Sequence, residues 1–173
     1  MSSRREWSVR VKSRLVSGGR RMNMQMTCDL VEIQALISAY SYAIDAKQFD
    51  ELDDVFTPDC EFEYVIEGGR SIRGDYQRIK PWLAKTLADF PVTAHLMGLP
   101  QIRVSGDQAT AKTLLINPMQ LSANHGSQLF FVGGTYADRL VRTSQGWRIC
   151  ERKETPSWVL NYPSGWEAPA IPD

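Results

Sequence analysis

Leu30, Ile33, Ile37, Tyr40 and Ile44 recur at spacings of three and four, which predicts an amphipathic helix with one buried stripe. Thr27 or Asp29 can cap its start. Glu51–Phe56 reads as a second, short helix that stops at Thr57-Pro58, because the residue before a proline avoids the helical region. Cys60–Ile66 alternates and predicts a strand, with a turn at Gly68-Gly69. From about Asp75 to Ala88 the pattern is helical again, Pro81 being tolerable near the first turns or at a kink.

After Pro91 the character changes. Four β-rich stretches follow, over residues 92–104, 108–121, 128–142 and 147–155. Ser105-Gly106-Asp107 and Ser144-Gln145-Gly146 mark tight turns, and Asn124-His125-Gly126 a looser one. Strands this long must bend to stay compact, and Pro118 and Gly133-Gly134 are the bend or bulge positions. Helices first and strands later predict an α+β fold, a cone-shaped curved antiparallel sheet wrapped around the first helix with an internal pocket. Residues 27–158 make the domain. The Pro-, Gly- and Trp-rich tail from Ser157 is expected to be irregular and to lie across the pocket mouth or a partner subunit.

The composition is that of an ordinary globular chain, 43% hydrophobic and 23% charged over 173 residues. No apolar run approaches the ~20 residues of a membrane span, so a cytoplasmic protein is expected. Cys28, Cys60 and Cys150 lack C-x-x-C spacing and read as reduced thiols rather than a disulfide framework or a zinc site. A net charge of zero conceals an asymmetry. Residues 1–21 carry seven Lys/Arg against Glu6 alone, +6, and the remainder thirteen against nineteen Asp/Glu, −6. Residues 1–26 are expected to be a disordered or mis-assigned basic extension, with Met22, Met24 or Met26 as an alternative start; the other reading is a nucleic-acid-binding arm.

Histidine is scarce, with only His95 and His125, so a proton acceptor working near neutral pH has few candidates. His95 shares strand parity with Met97 and Leu99 and reads either as a core histidine or as a base. His125, in a Gly/Asn loop, is expected to be exposed, and two histidines thirty residues apart make a poor metal site. Asp45, at the end of the first helix, is either solvated beside Lys47 or turned inward to a ring N–H. Tyr40, on the stripe itself, is a core tyrosine or a donor to an oxyanion. Arg148 and Arg152 share parity with Cys150 and oppose Trp147 and Ile149; Arg103 and Arg142 read as surface residues.

Several phrases in order resemble the SnoaL-like branch of the nuclear transport factor 2-like superfamily. They are Tyr40-Ser41-Tyr42-Ala43-Ile44-Asp45, Phe56-Thr57-Pro58-Asp59-Cys60, Gly74, Thr93-Ala94-His95, Ser105-Gly106-Asp107-Gln108-Ala109, Gly134-Thr135-Tyr136-Ala137-Asp138 and Gly146-Trp147-Arg148-Ile149-Cys150-Glu151-Arg152. The set Tyr40, Asp45, His95 and Arg152 is similar to that of the bile-acid 7α-dehydratases and, more loosely, scytalone dehydratases. The resemblance implies a cofactor-free, metal-free lyase for a small hydrophobic hydroxy-carbonyl compound, with Met97, Asn117, Tyr136 and Trp82 against the substrate. A ketosteroid-type isomerase or a binding module is the alternative. It also implies a homodimer or homotrimer with no nucleic-acid or membrane partner. The further pocket carboxylate that such enzymes carry on a middle strand is not obvious here, Asn117 being the nearest candidate.

Overall fold

A computed structural model describes residues 23–65 and 71–171. The basic segment and the expected turn at Gly68-Gly69 lie outside the described residues, as does the side chain of His125. The first helix, α1, spans Met24–Asp45 and buries Ile33, Ile37, Tyr40 and Ile44 as the stripe predicts. Its cap is Asn23, not Thr27 or Asp29: the Asn23 side chain accepts the Met26 N–H at 2.8 Å. The first turn therefore takes in Met24–Met26, which the sequence assigned to the extension. Asp29 is turned inward, where it receives Arg142 Nη2 at 2.7 Å and the Trp147 indole N–H at 3.3 Å. Arg142 thus belongs to a clamp between helix and sheet rather than to the surface.

The second helix is a 3-10 turn over Phe49–Asp54. Phe56 already opens strand β1, Phe56–Val65, with Pro58 inside it. Pairing with the last strand slips between Phe56 and Glu61, so the N–H that Pro58 lacks is not demanded by a regular ladder. β2 (Ser71–Asp75) leads into α2 (Tyr76–Leu87), which Asp75 caps through the Arg78 N–H at 3.0 Å. Then come β3 (Val92–Thr93), β4 (Leu96–Met97), β5 (Gln101–Ser105), β6 (Gln108–Gln120), β7 (Leu129–Thr143) and β8 (Gly146–Leu160). The sheet order is β2-β1-β8-β7-β6-β3, with β4 and β5 also on β6. It is a mixed sheet, because β1 runs parallel to β8. A long crossover sets that direction, and no local pattern reports it.

Curvature comes from the expected glycines. The β7–β8 register shifts at Gly133/Gly134. A Cβ at Gly133 would run into the Trp158 indole, and one at Gly134 would lie 2.5 Å from the Thr155 carbonyl oxygen. β8 continues to Leu160, so the irregular tail begins later than Ser157. The tail packs against the α2 side: Pro169 accepts the Trp82 indole N–H at 2.7 Å, and the rings of Trp166 and Phe90 lie 5.0 Å apart. Among the described residues, no helix is long and apolar enough to cross a membrane.

Candidate active site

One proline positions the histidine. The predicted strand 92–104 breaks into three pieces, and the first break falls opposite Pro118 and Asn117. Ala94 donates its N–H to Pro118 at 3.1 Å, but Pro118 has no N–H to return. The Ala94 carbonyl accepts from Leu96 N–H instead, at 3.1 Å, closing a tight turn centred on His95. His95 is therefore not in a regular strand. Its backbone N–H faces away from β6 and donates to Asp45 Oδ2 at 2.6 Å.

The other half of that contact is held by the end of α1. Lys47 N–H bonds the Ile44 carbonyl at 3.2 Å and Gln48 N–H the Ala43 carbonyl at 2.9 Å, a Schellman stop. Lys47 takes the left-handed position usually given to glycine, with φ of 60°, and its Nζ donates to Thr93 Oγ1 at 2.7 Å. Asp45 is thus locked at the last helical residue with both oxygens toward His95. Its Oδ1 lies 2.7 Å from His95 Nδ1. Burial alone would raise the Asp45 pKa, but hydrogen bonds from the His95 ring and backbone and from Thr93 outweigh it and hold the carboxyl below its ordinary value. An ionised Asp45 makes Nδ1 the protonated nitrogen and leaves the lone pair on Nε2.

Nε2 meets Asn117 Nδ2 at 3.1 Å, while Asn117 Oδ1 has no partner among the described residues. The amide can therefore donate to a neutral imidazole and, turned over, accept from a charged one. The Tyr40 ring stands edge-on to the imidazole with centroids 5.8 Å apart, and Tyr40 Oη lies 3.4 Å from Tyr136 Oη.

Arg152 enters the interior through a bulge. Pairing of β7 with β8 slips between Arg139 and Leu140, so Trp147, Ile149 and Arg152 all face inward. Simple parity, which set Arg152 opposite Trp147 and Ile149, is overturned by that extra residue. Arg152 is fully buried and bidentate to Asp138, both bonds 2.8 Å. Its guanidinium lies 4.0 Å from the Tyr40 ring centroid and 4.3 Å from that of Tyr136. Burial works against the charge, yet Asp138 keeps the guanidinium firmly protonated. Arg152 thus positions the two phenols, and its Nη1 has no partner among the described residues.

The surroundings are more polar than the greasy pocket expected. Tyr64 of β1, Glu154 of β8, Tyr136 of β7 and Thr113 of β6 are successive cross-strand partners in one row. Tyr64 Oη and Thr113 Oγ1 are buried without partners among the described residues. Glu154 is the carboxylate of that row, on β8 rather than at the Asn117 position of β6. It stands two residues beyond Arg152 on the same strand face, the signal that would have found it. Burial pushes its pKa up to about 7, against the opposing pull of Arg152 and a hydrogen bond from Tyr136. A raised folded-state pKa contributes stability that is present below the ordinary value of 4.5 and lost as pH climbs through about 7. Glu154→Gln should therefore be about 3 kcal/mol more stable than the parent at pH 8, with the gap closing toward pH 4. Urea melts at the two pH values check this; equal midpoints at pH 8 would refute it.

Of the remaining expected contacts, Trp82 packs on Tyr64 with ring centroids 5.5 Å apart, its N–H taken by the tail. Met97 is partly buried against the core. Cavities of about 210 and 610 Å³ lie elsewhere, the first beside Arg103, Ala109 and Cys150, the second beside Asn23, Asp29 and Arg142. The His95 side chain is only 5% exposed, so a ligand reaches it only as neighbouring side chains move.

The family model described as a SnoaL-like domain matches residues 25–153. The chain belongs to the SnoaL-like family. An uncharacterized protein of Mycobacterium tuberculosis is 46% identical over 127 residues, covering 73% of this chain and 84% of its own. Solved structures of similar fold include a Kribbella flavida protein, with TM-score 0.73 and 24% identity, covering 78% of this chain and 95% of that one. A proposed scytalone dehydratase from Novosphingobium aromaticivorans has TM-score 0.69 and 20% identity, covering 84% and 93%. A hexachlorocyclohexane dehydrochlorinase has TM-score 0.60 and 20% identity, covering 84% and 95%. A Salmonella enterica protein of the nuclear transport factor 2-like superfamily has a similar fold, with TM-score 0.66 and 21% identity, covering 81% and 99%.

Proposed function

We propose that this SnoaL-like protein is a cofactor-independent lyase, a dehydratase for a small hydrophobic hydroxy-carbonyl compound of steroid- or polyketide-like character. The observation that carries the reading is the Asp45–His95 pair, which presents Nε2 as a base beside the Tyr40 phenol. Nε2 takes the proton next to the substrate carbonyl, and Asp45 stabilises the imidazolium so formed. Tyr40 donates to the enolate oxygen. As the enolate reforms its carbonyl, the carbon–oxygen bond to the hydroxyl breaks, and the proton on Nε2 leaves with it as water. Asn117 turns to accept from Nε2–H between the two transfers. Two of the structural relatives carry names of elimination enzymes, which supports this choice over isomerisation.

Hydroxysteroid and aromatic polyketide-type compounds that raise the melting temperature should be converted to a product lighter by one water, read by mass spectrometry. A product of unchanged mass would mean isomerisation, and binding without conversion a carrier.

We further infer that the outer sheet face joins copies of the chain. Ile116 pairs with Leu96 on one side and Gly133 on the other, and Gly133 with Trp158, so one outward row is apolar. Leu96, Leu114 and Trp158 are 61%, 68% and 46% exposed. A continuous apolar strip of this kind is what a symmetric interface buries on both copies. Leu114→Lys with Ile116→Lys should convert a dimer or trimer to monomer in light-scattering chromatography; a monomeric parent at micromolar concentration overturns the inference.

A further inference from the structure

Glu154 has no part in the reaction as drawn, yet it ends a chain of hydroxyls that begins at the site. Tyr40 Oη lies 3.4 Å from Tyr136 Oη, and Tyr136 is the cross-strand partner of Glu154, close enough for its hydroxyl to favour the ionised carboxyl. Each phenol carries a single proton, so the chain has a direction. With Glu154 ionised, Tyr136 donates to Glu154 and Tyr40 donates to Tyr136. Tyr40 then offers a ligand only lone pairs, and can turn its proton outward only by abandoning Tyr136. With Glu154 protonated, the order reverses: Glu154 donates to Tyr136, Tyr136 to Tyr40, and the Tyr40 proton is free for a ligand oxygen.

We propose that Glu154 is a positioning residue that sets the donor direction of Tyr40 through Tyr136, so that Tyr40 is an oxyanion donor only while Glu154 holds its proton. No proton is gained or lost by the ligand in this step; three hydroxyl rotors turn together. The groups facing Glu154 agree with a switch rather than a fixed state. Arg152 on its own strand favours the ionised form, but both its close bonds are committed to Asp138 of β7. Tyr64 of β1 and Tyr40 of α1 are uncharged phenols, and burial favours the neutral acid. The titration falls at about pH 7, where both directions are populated. This inference rests on the reading of Tyr40 as a donor, but it can be tested without substrate.

Ligand-free protein carrying tyrosine labelled with carbon-13 at the ring carbon bearing oxygen reports each hydroxyl by NMR, and Tyr40→Phe identifies the Tyr40 signal. In the parent protein the Tyr40 and Tyr136 signals should shift together as pH passes about 7. Glu154→Gln should abolish that common step. Tyr136→Phe should abolish it at Tyr40 while an infrared carboxyl band still reports the Glu154 titration. A Tyr40 signal that is flat in the parent, or a step of unchanged size in both variants, overturns the proposal whether or not the protein proves to be a dehydratase.

Discussion

His95→Ala should lower turnover of a hydroxy-carbonyl substrate by about 10²–10⁴-fold, the range supplied by a positioned acid/base group. The fold should survive. Asp45 loses the ring bond at 2.7 Å but keeps the backbone N–H of residue 95 at 2.6 Å, which alanine also provides. The turn at residue 95 depends on Pro118 lacking an N–H, not on the imidazole. Asp45→Asn makes the companion measurement. An amide still occupies the site but cannot stabilise an imidazolium, so kcat should fall while substrate affinity is largely kept. Steady-state kinetics with circular dichroism as the folding control decide the matter. Undiminished turnover in His95→Ala would remove the histidine from the mechanism.

Arg152→Met should destabilise the protein by about 3–5 kcal/mol, since it leaves the Asp138 carboxylate buried and uncompensated. Both side chains are fully buried, and Asp138 receives two bonds of 2.8 Å from the guanidinium. The loss reaches the site as well, because Tyr40 and Tyr136 both stack on that guanidinium. Adding Asp138→Leu to the methionine variant should recover much of the stability by removing the orphaned charge, though not the order of the two phenols. Urea unfolding measures each arm of the cycle. A single-variant loss below about 1 kcal/mol would show that the pair is not the buried clamp described here.

The legible parts of the site are those written in local chemistry. The stripe from Leu30 to Ile44 set α1, and its last residue delivered Asp45 to the interior. The scarcity of histidine singles out His95, and an Asp45 turned inward meets its ring N–H. Gly133-Gly134 predicts a bulge or bend, and the register shift lies there. The α+β architecture of helices followed by long strands was readable for the same reason, since hydrophobic periodicity reports the backbone state directly.

What stayed hidden depends on pairing between distant segments. Pro118 predicts a bend in its own strand, but its effect falls on residues 94–96, where a missing N–H breaks the edge strand and frees the His95 backbone. The parity of β8 set Arg152 apart from Trp147 and Ile149 until the bulge opposite Arg139 and Leu140 reversed it. Glu154 passed unnoticed because its neighbours, Tyr64 and Tyr136, lie 90 and 18 positions away and meet it only through the ladders. By itself, then, the sequence determined the two long helices and the long extended stretches, which follow from side-chain spacing, and which residue types were available for acid/base work. The tertiary structure alone decided which of those residues face one another, because register, bulges and strand direction are set by hydrogen bonds between segments that no local pattern encodes.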